Sequence, residues 1–168
     1  MKTLTRFAAR DTEAFMAAIP FKSNEKSLSG KTAAAIALSM VALRDSNAKF
    51  NDTIAAIAEK VKPKGYDKKA AERAKALREA FPEGTAFDAE KWADLCPDKE
   101  FEETYERVNR EFQSAVTEIG NEEVEVDLRL TAEHLSDIAD VLVAEDTVTV
   151  NDSAVPVQGF LFMLASLI

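Results

Sequence analysis

The sequence predicts a mainly helical α+β protein: a long antiparallel helical hairpin with a helical insert, followed by a small two-stranded β/α C-terminal subdomain. Three observations carry that expectation. Ala33, Ile36, Met40, Leu43, Asn47, Phe50, Ile54, Ile57 and Val61 recur at alternating steps of three and four, and eight of the nine are apolar, which places a heptad stripe along one helix. A second stripe, Phe101, Tyr105, Val108, Phe112, Ala115 and Ile119, follows the same rhythm. Beyond Asn121 the period drops to two in EEVEVDLRL, the alternation of a half-buried strand.

The first helix must start near SLSGKTAAAIAL, Ser27 to Leu38. This stretch looks like the end of a phosphate-binding loop, but Glu25 stands where the first glycine of that loop is required, and the preceding PFKSNEKSLS is polar and opens on Pro20. The expectation is therefore a plain helix start, with Ser29 or a neighbour as N-cap. The helix runs to about Lys62, roughly 50 Å at 1.5 Å per residue, and stops before Pro63 and Gly65. Asn47 puts one amide in its seam, a device that can fix register. Two apolar stripes in one chain bury each other most simply, so residues 29–62 and 101–119 are expected to form the hairpin.

Residues 63–98 form the insert. DKKAAERAKALREAF repeats Ala70, Ala74, Leu77 and Phe81 as one helical face, PEGTAF is a turn, and Asp88 can cap a short helix bearing Trp92 and Leu95 before Pro97. Residues 122–168 read as β-α-β-α. The strand comes first, with Val124, Val126, Leu128 and Leu130 on one face, and then a helix capped by Thr131 with Leu135, Ile138 and Leu142 buried. A short strand, Thr147 to Val150, stops at Asn151 and Asp152, and a last helix from about Ser153 buries Phe160, Leu161, Leu164 and Leu167. At 168 residues the whole is expected to be a single domain.

Composition narrows the functional classes. The net charge of −9 argues against general nucleic-acid binding, which needs a basic surface. One cysteine, Cys96, forms no intramolecular disulfide and fits a reducing compartment such as the cytoplasm. The start MKTLTRFAARDTEAFM mixes charges among its apolar residues, so no signal peptide is expected. The longest uncharged run, Ser153 to Ile168, has 16 residues broken by Pro156 and Gly159, too few to span a bilayer.

Catalytic groups are sparse. The lone histidine, His134, sits in the first turn of an amphipathic helix, is expected on the surface, and has no nucleophile placed beside it by any motif. One histidine and one cysteine fall short of a zinc ligand set, and the acidic residues of 122–127, with Asp137 and Asp140, lack a calcium-loop pattern. The expectation is a protein that is not an enzyme and holds no metal or cofactor.

Two binding surfaces remain. Lys60 to Arg78 contain eight basic and two acidic residues, an excess of +6 that leaves −15 on the rest of the chain. Lys64, Tyr66, Lys68, Lys69 and Arg73 are the candidates for holding an anionic small molecule, with Lys22, Lys26 and Lys31 as a smaller cluster. The competing reading is a solvated helix whose field is answered by PDKEFEETYE, Pro97 to Glu106. The terminal GFLFMLASLI is apolar on nearly every side, so Phe160, Phe162, Met163 and Leu167 are candidates for an interface with another copy or a partner protein.

The order SLSGKTAAAIALSMVAL, a long charged helix, and then EEVEVDLRLTAEHLSDIADVLVAEDTVTVNDSAVPVQGFLFMLASL resembles small uncharacterised accessory proteins encoded by tailed bacteriophages. The likeness is best over Glu122 to Leu167, weaker over Ser27 to Val61 and absent from Lys62 to Asp98. It implies a non-catalytic accessory role, either in the cytoplasm of an infected bacterium or in the virion, through oligomerisation or a host or virion protein. The alternative, carried by the basic insert and not by the resemblance, is sequestration of an anionic ligand, such as a nucleotide immune signal, in an anti-defence role. No functional residue carries over with the resemblance.

Overall fold

The computed structural model describes residues 1–23, 26–143 and 145–168. The chain is mainly α with two small antiparallel sheets, in the order β1 (Lys2–Thr5), α1 (Arg6–Ala17), α2 (Gly30–Val61), α3 (Tyr66–Ala80), α4 (Ala89–Leu95), α5 (Lys99–Gly120), β2 (Glu123–Val126), α6 (Ala132–Leu142), β3 (Thr147–Val150), β4 (Ser153–Pro156) and α7 (Val157–Ala165). It divides into two compact units, one of Met1–Asp52 with Ile119–Ile168 and one of Thr53–Glu118.

The first unit holds the main apolar core. Of α2's stripe, Ile36, Met40, Leu43 and Phe50 are buried here, with Met16 of α1, Val126 of β2, Ile138 and Leu142 of α6, and Phe160 and Leu164 of α7. Each such side chain contributes about 2 kcal/mol through burial. Asn47, the polar member of the stripe, is buried as well, and its amide donates to Glu13 of α1 at 2.6 Å. Its partner is thus a carboxylate within this unit.

Residues 1–28, to which periodicity assigns no element, carry β1 and α1. α1 turns Ala9, Thr12 and Met16 inward, a buried face with one large apolar side chain among small and polar ones, which hydrophobic patterning registers only weakly. β1 pairs with β2, Lys2 opposite Val126 and Leu4 opposite Val124. β2 stops at Val126, short of the expected alternating run, because the following N–H groups are taken elsewhere. Leu128 N–H donates to the Val126 carbonyl at 2.9 Å, and Arg129 N–H donates to the buried Ser39 Oγ of α2 at 2.8 Å. Leu130 is nevertheless buried.

The last helix begins at Val157 and not near Ser153, because Ser153–Pro156 is a strand paired with β3. Asn151 and Asp152 adopt φ of 47° and 63°, the left-handed pair that joins a tight hairpin, and Asn and Asp tolerate it better than other side chains. At the end of α5, Gly120 lies so close to the Phe7 ring that a Cβ there would overlap it.

The second unit is built from the last turns of α2 with α3, α4 and α5 to Glu118. Its small core is Tyr66, Phe101 and Val108, with Val61, Ala70 and Tyr105 packed against it. Val61 at the end of α2 packs with Phe101 and Val108 of α5, and α3 of the insert joins them through Tyr66 and Ala70, whereas Ile36, Met40, Leu43 and Phe50 of the same α2 stripe are buried in the first unit. Asp88 caps α4 by accepting from Lys91 N–H at 3.0 Å.

Candidate functional site

The start of α2 answers the question its sequence raises. Ser29 caps the helix, its Oγ accepting from Thr32 N–H at 3.2 Å. The exposed N–H of Ser29 donates to Asp137 of α6 at 2.9 Å, and Lys31 Nζ donates to Glu133 at 2.8 Å. A carboxylate from the same chain therefore occupies the position that a phosphate would take at a helix N-terminus. Hydrogen bonds from Thr32 and Ser29 hold the Asp137 carboxyl below its ordinary range, and Lys31 does the same for Glu133. Lys26 joins the set through Asp140 at 3.5 Å.

His134, expected on the surface, is buried, and neither ring nitrogen has a hydrogen-bond partner among the described residues. Its backbone N–H donates to Thr131 Oγ1 at 3.5 Å, which turns the third helical residue inward along with Ile138. Among the described residues no nucleophile is hydrogen-bonded to its ring, and no group of three His, Cys, Asp or Glu could hold a metal ion.

The basic segment is largely committed to carboxylates of its own unit. Arg73 donates Nε and Nη2 to the two oxygens of Glu102, both at 2.6 Å, with side chains 15% and 20% exposed. The guanidinium stacks over Tyr105 at 3.9 Å, and its Cζ lies 5.5 Å from the Trp92 ring centroid. This is a bidentate, half-buried clamp, the strongest geometry available to an ion pair. It raises the Arg73 pKa and lowers that of Glu102. Trp92 Nε1–H is buried and makes no hydrogen bond among the described residues.

Lys69 donates to Asp98 at 2.8 Å and lies over Phe101. Its pair lowers the Asp98 pKa and raises its own. Tyr66 is buried beside Phe101 and stacks on Tyr105 with ring planes 1° apart. Lys68 faces solvent with Glu72 4.0 Å away, and Lys64 is exposed. The five candidates thus divide: Lys69 and Arg73 line one cavity of about 230 Å³ with Glu72, Cys96, Asp98 and Phe101, while Tyr66 serves the core and Lys64 and Lys68 stand apart from the cavity. The responding carboxylates, Asp98 and Glu102, lie within PDKEFEETYE as the charge pattern suggests.

The four C-terminal candidates also divide. Phe160 is fully buried against Phe15, so it belongs to the core and to no interface. Phe162 is 77% exposed and Met163 40% exposed. Met163 and Leu167 line a groove of about 260 Å³ with Leu4, Ala8, Asp11, Thr12 and Phe15. Sequence reasoning misses its α1 wall because the interspersed charges of MKTLTRFAARDTEAFM obscure the helical spacing of Ala8, Thr12 and Phe15.

Comparison with protein-family models, curated proteins and solved structures finds no match. Among the described residues no helix is long and apolar enough to cross a membrane.

Proposed function

We propose that the protein acts by binding and not by catalysis, as a phage accessory protein of the infected cell or virion, through self-association or a protein partner. The observation that carries this reading is the apolar groove between α1 and α7. Met163, Leu167, Phe15, Leu4 and Ala8 line it, and Phe162 on α7 leaves a phenyl ring 77% exposed. An apolar groove and a large exposed aromatic side chain are characteristic of surfaces that a partner covers.

A second reading places an anionic ligand in the cavity lined by Lys69 and Arg73. It requires that ligand to compete with Asp98 and Glu102 for their cations, at a cost that the bidentate Arg73 pair makes large. Native mass spectrometry of protein purified gently from its expression host separates the two. A defined oligomer or a retained protein, lost in Met163→Glu, supports the groove. A retained anionic mass released at high salt supports the cavity, and a strictly monomeric protein that takes no partner from infected cells overturns the leading proposal.

A further inference from the structure

The α1–α7 groove has a charge as well as a shape, and on the reading of it as a binding site the charge selects the partner. Asp11 of α1 stands on its wall, exposed, and pairs with no cation among the described residues. Lys2, a cation beside the end of α7, directs Nζ to the Ser166 carbonyl oxygen at 3.1 Å, and Arg44, which lines a separate cavity with Arg10 and Asp11, pairs with Glu13 instead. The unit around the groove has nine basic and fifteen acidic residues by sequence, a net charge of −6.

A second copy meeting this face about a two-fold axis would set one such acidic unit against another, and Asp11 against Asp11 where the axis passes beside it. Isologous contacts place like on like near the axis, and opposed like charges disfavour the pairing. A basic partner meets the opposite situation. It is steered in by the acidic field and gains a cation for the unpaired carboxylate.

We infer that the groove receives an apolar side chain from a basic protein segment, its anchor seated against Phe15, Met163 and Leu167 and a neighbouring lysine or arginine over Asp11. The volume of about 260 Å³ accommodates one large anchor, the scale of a single hot-spot contact and not of a whole domain.

The test is selection from a yeast-displayed random peptide library against the full chain, followed by titration of selected synthetic peptides with the Met163 methyl resonance as the local readout. The expected winners combine a Leu, Met or Phe anchor with lysine or arginine within one helical turn, and they shift the Met163 signal. Asp11→Lys should weaken them about fivefold and shift fresh selections toward Asp and Glu, while Met163→Glu should weaken them about tenfold. Winners without basic excess, an Asp11→Lys variant with unchanged selectivity, or no winner at all would overturn the inference. If charge selectivity fails while Met163→Glu still abolishes an oligomer or a captured partner, the binding role stands and only the basic partner is lost.

Discussion

The two compact units are stabilised by different physics. The first buries a contiguous aliphatic and aromatic core around Leu43, Ile138, Phe160 and Leu164, all essentially inaccessible to water. In the second, three buried residues, Tyr66, Phe101 and Val108, form the small core cluster, beside an Arg73–Glu102 clamp framed by Tyr105 and Trp92. One region rests mainly on non-directional burial, the other on a few directional contacts. A basic run in the sequence can therefore be structural: two of the cations it offers for a ligand, Lys69 and Arg73, are ones the fold pairs with its own carboxylates.

The contrast predicts an order of sensitivities. The largest effect is expected for Phe160→Ala, which empties the centre of the first unit and should cost about 3–5 kcal/mol in chemical denaturation followed by far-ultraviolet circular dichroism. Glu102→Ala should come next, at about 3 kcal/mol, because it leaves Arg73 half-buried without its carboxylate. Trp92, the only tryptophan, lies 5.5 Å from Arg73 Cζ, so its fluorescence reports this unit directly. If the clamp is structural, Arg73→Met combined with Glu102→Leu should recover most of the loss; no recovery in that double variant would break the comparison.

Acid should act on the same clamp. Glu102 and Asp98 have pKa values lowered by Arg73 and Lys69, so their contribution is complete above the ordinary carboxylate range and disappears as pH falls through the lowered folded values, below about 4. The Trp92 signal is expected to change in that window, and Glu102→Ala should flatten the change. A profile unaltered by the substitution would remove the clamp as its cause. The smallest effect is expected at the start of α2. Asp137→Asn weakens the contact to Ser29 N–H and should cost about 1 kcal/mol, read as a modest shift in denaturation midpoint, without creating affinity for inorganic phosphate by isothermal titration calorimetry.

Much of this architecture follows from the sequence alone. The heptad stripes give α2 and α5, Gly120 marks the end of α5, and Thr131 and Asp88 cap their helices, because spacing and capping are local properties that nearby residues decide. The alternation in EEVEV likewise gives a strand. Tertiary structure decided what those elements meet. β2 is matched with a strand more than a hundred residues away, at Lys2–Thr5, and Ser39 ends its ladder by capturing Arg129 N–H. Asn47 found Glu13, and His134 turned inward. The groove between α1 and α7 takes one wall from α1, where the helical spacing of Ala8, Thr12 and Phe15 is readable but the α7 side chains it meets are not. Non-local pairing and the choice of which cation meets which carboxylate depend on where distant segments are brought together, and residue spacing along one chain does not encode that directly.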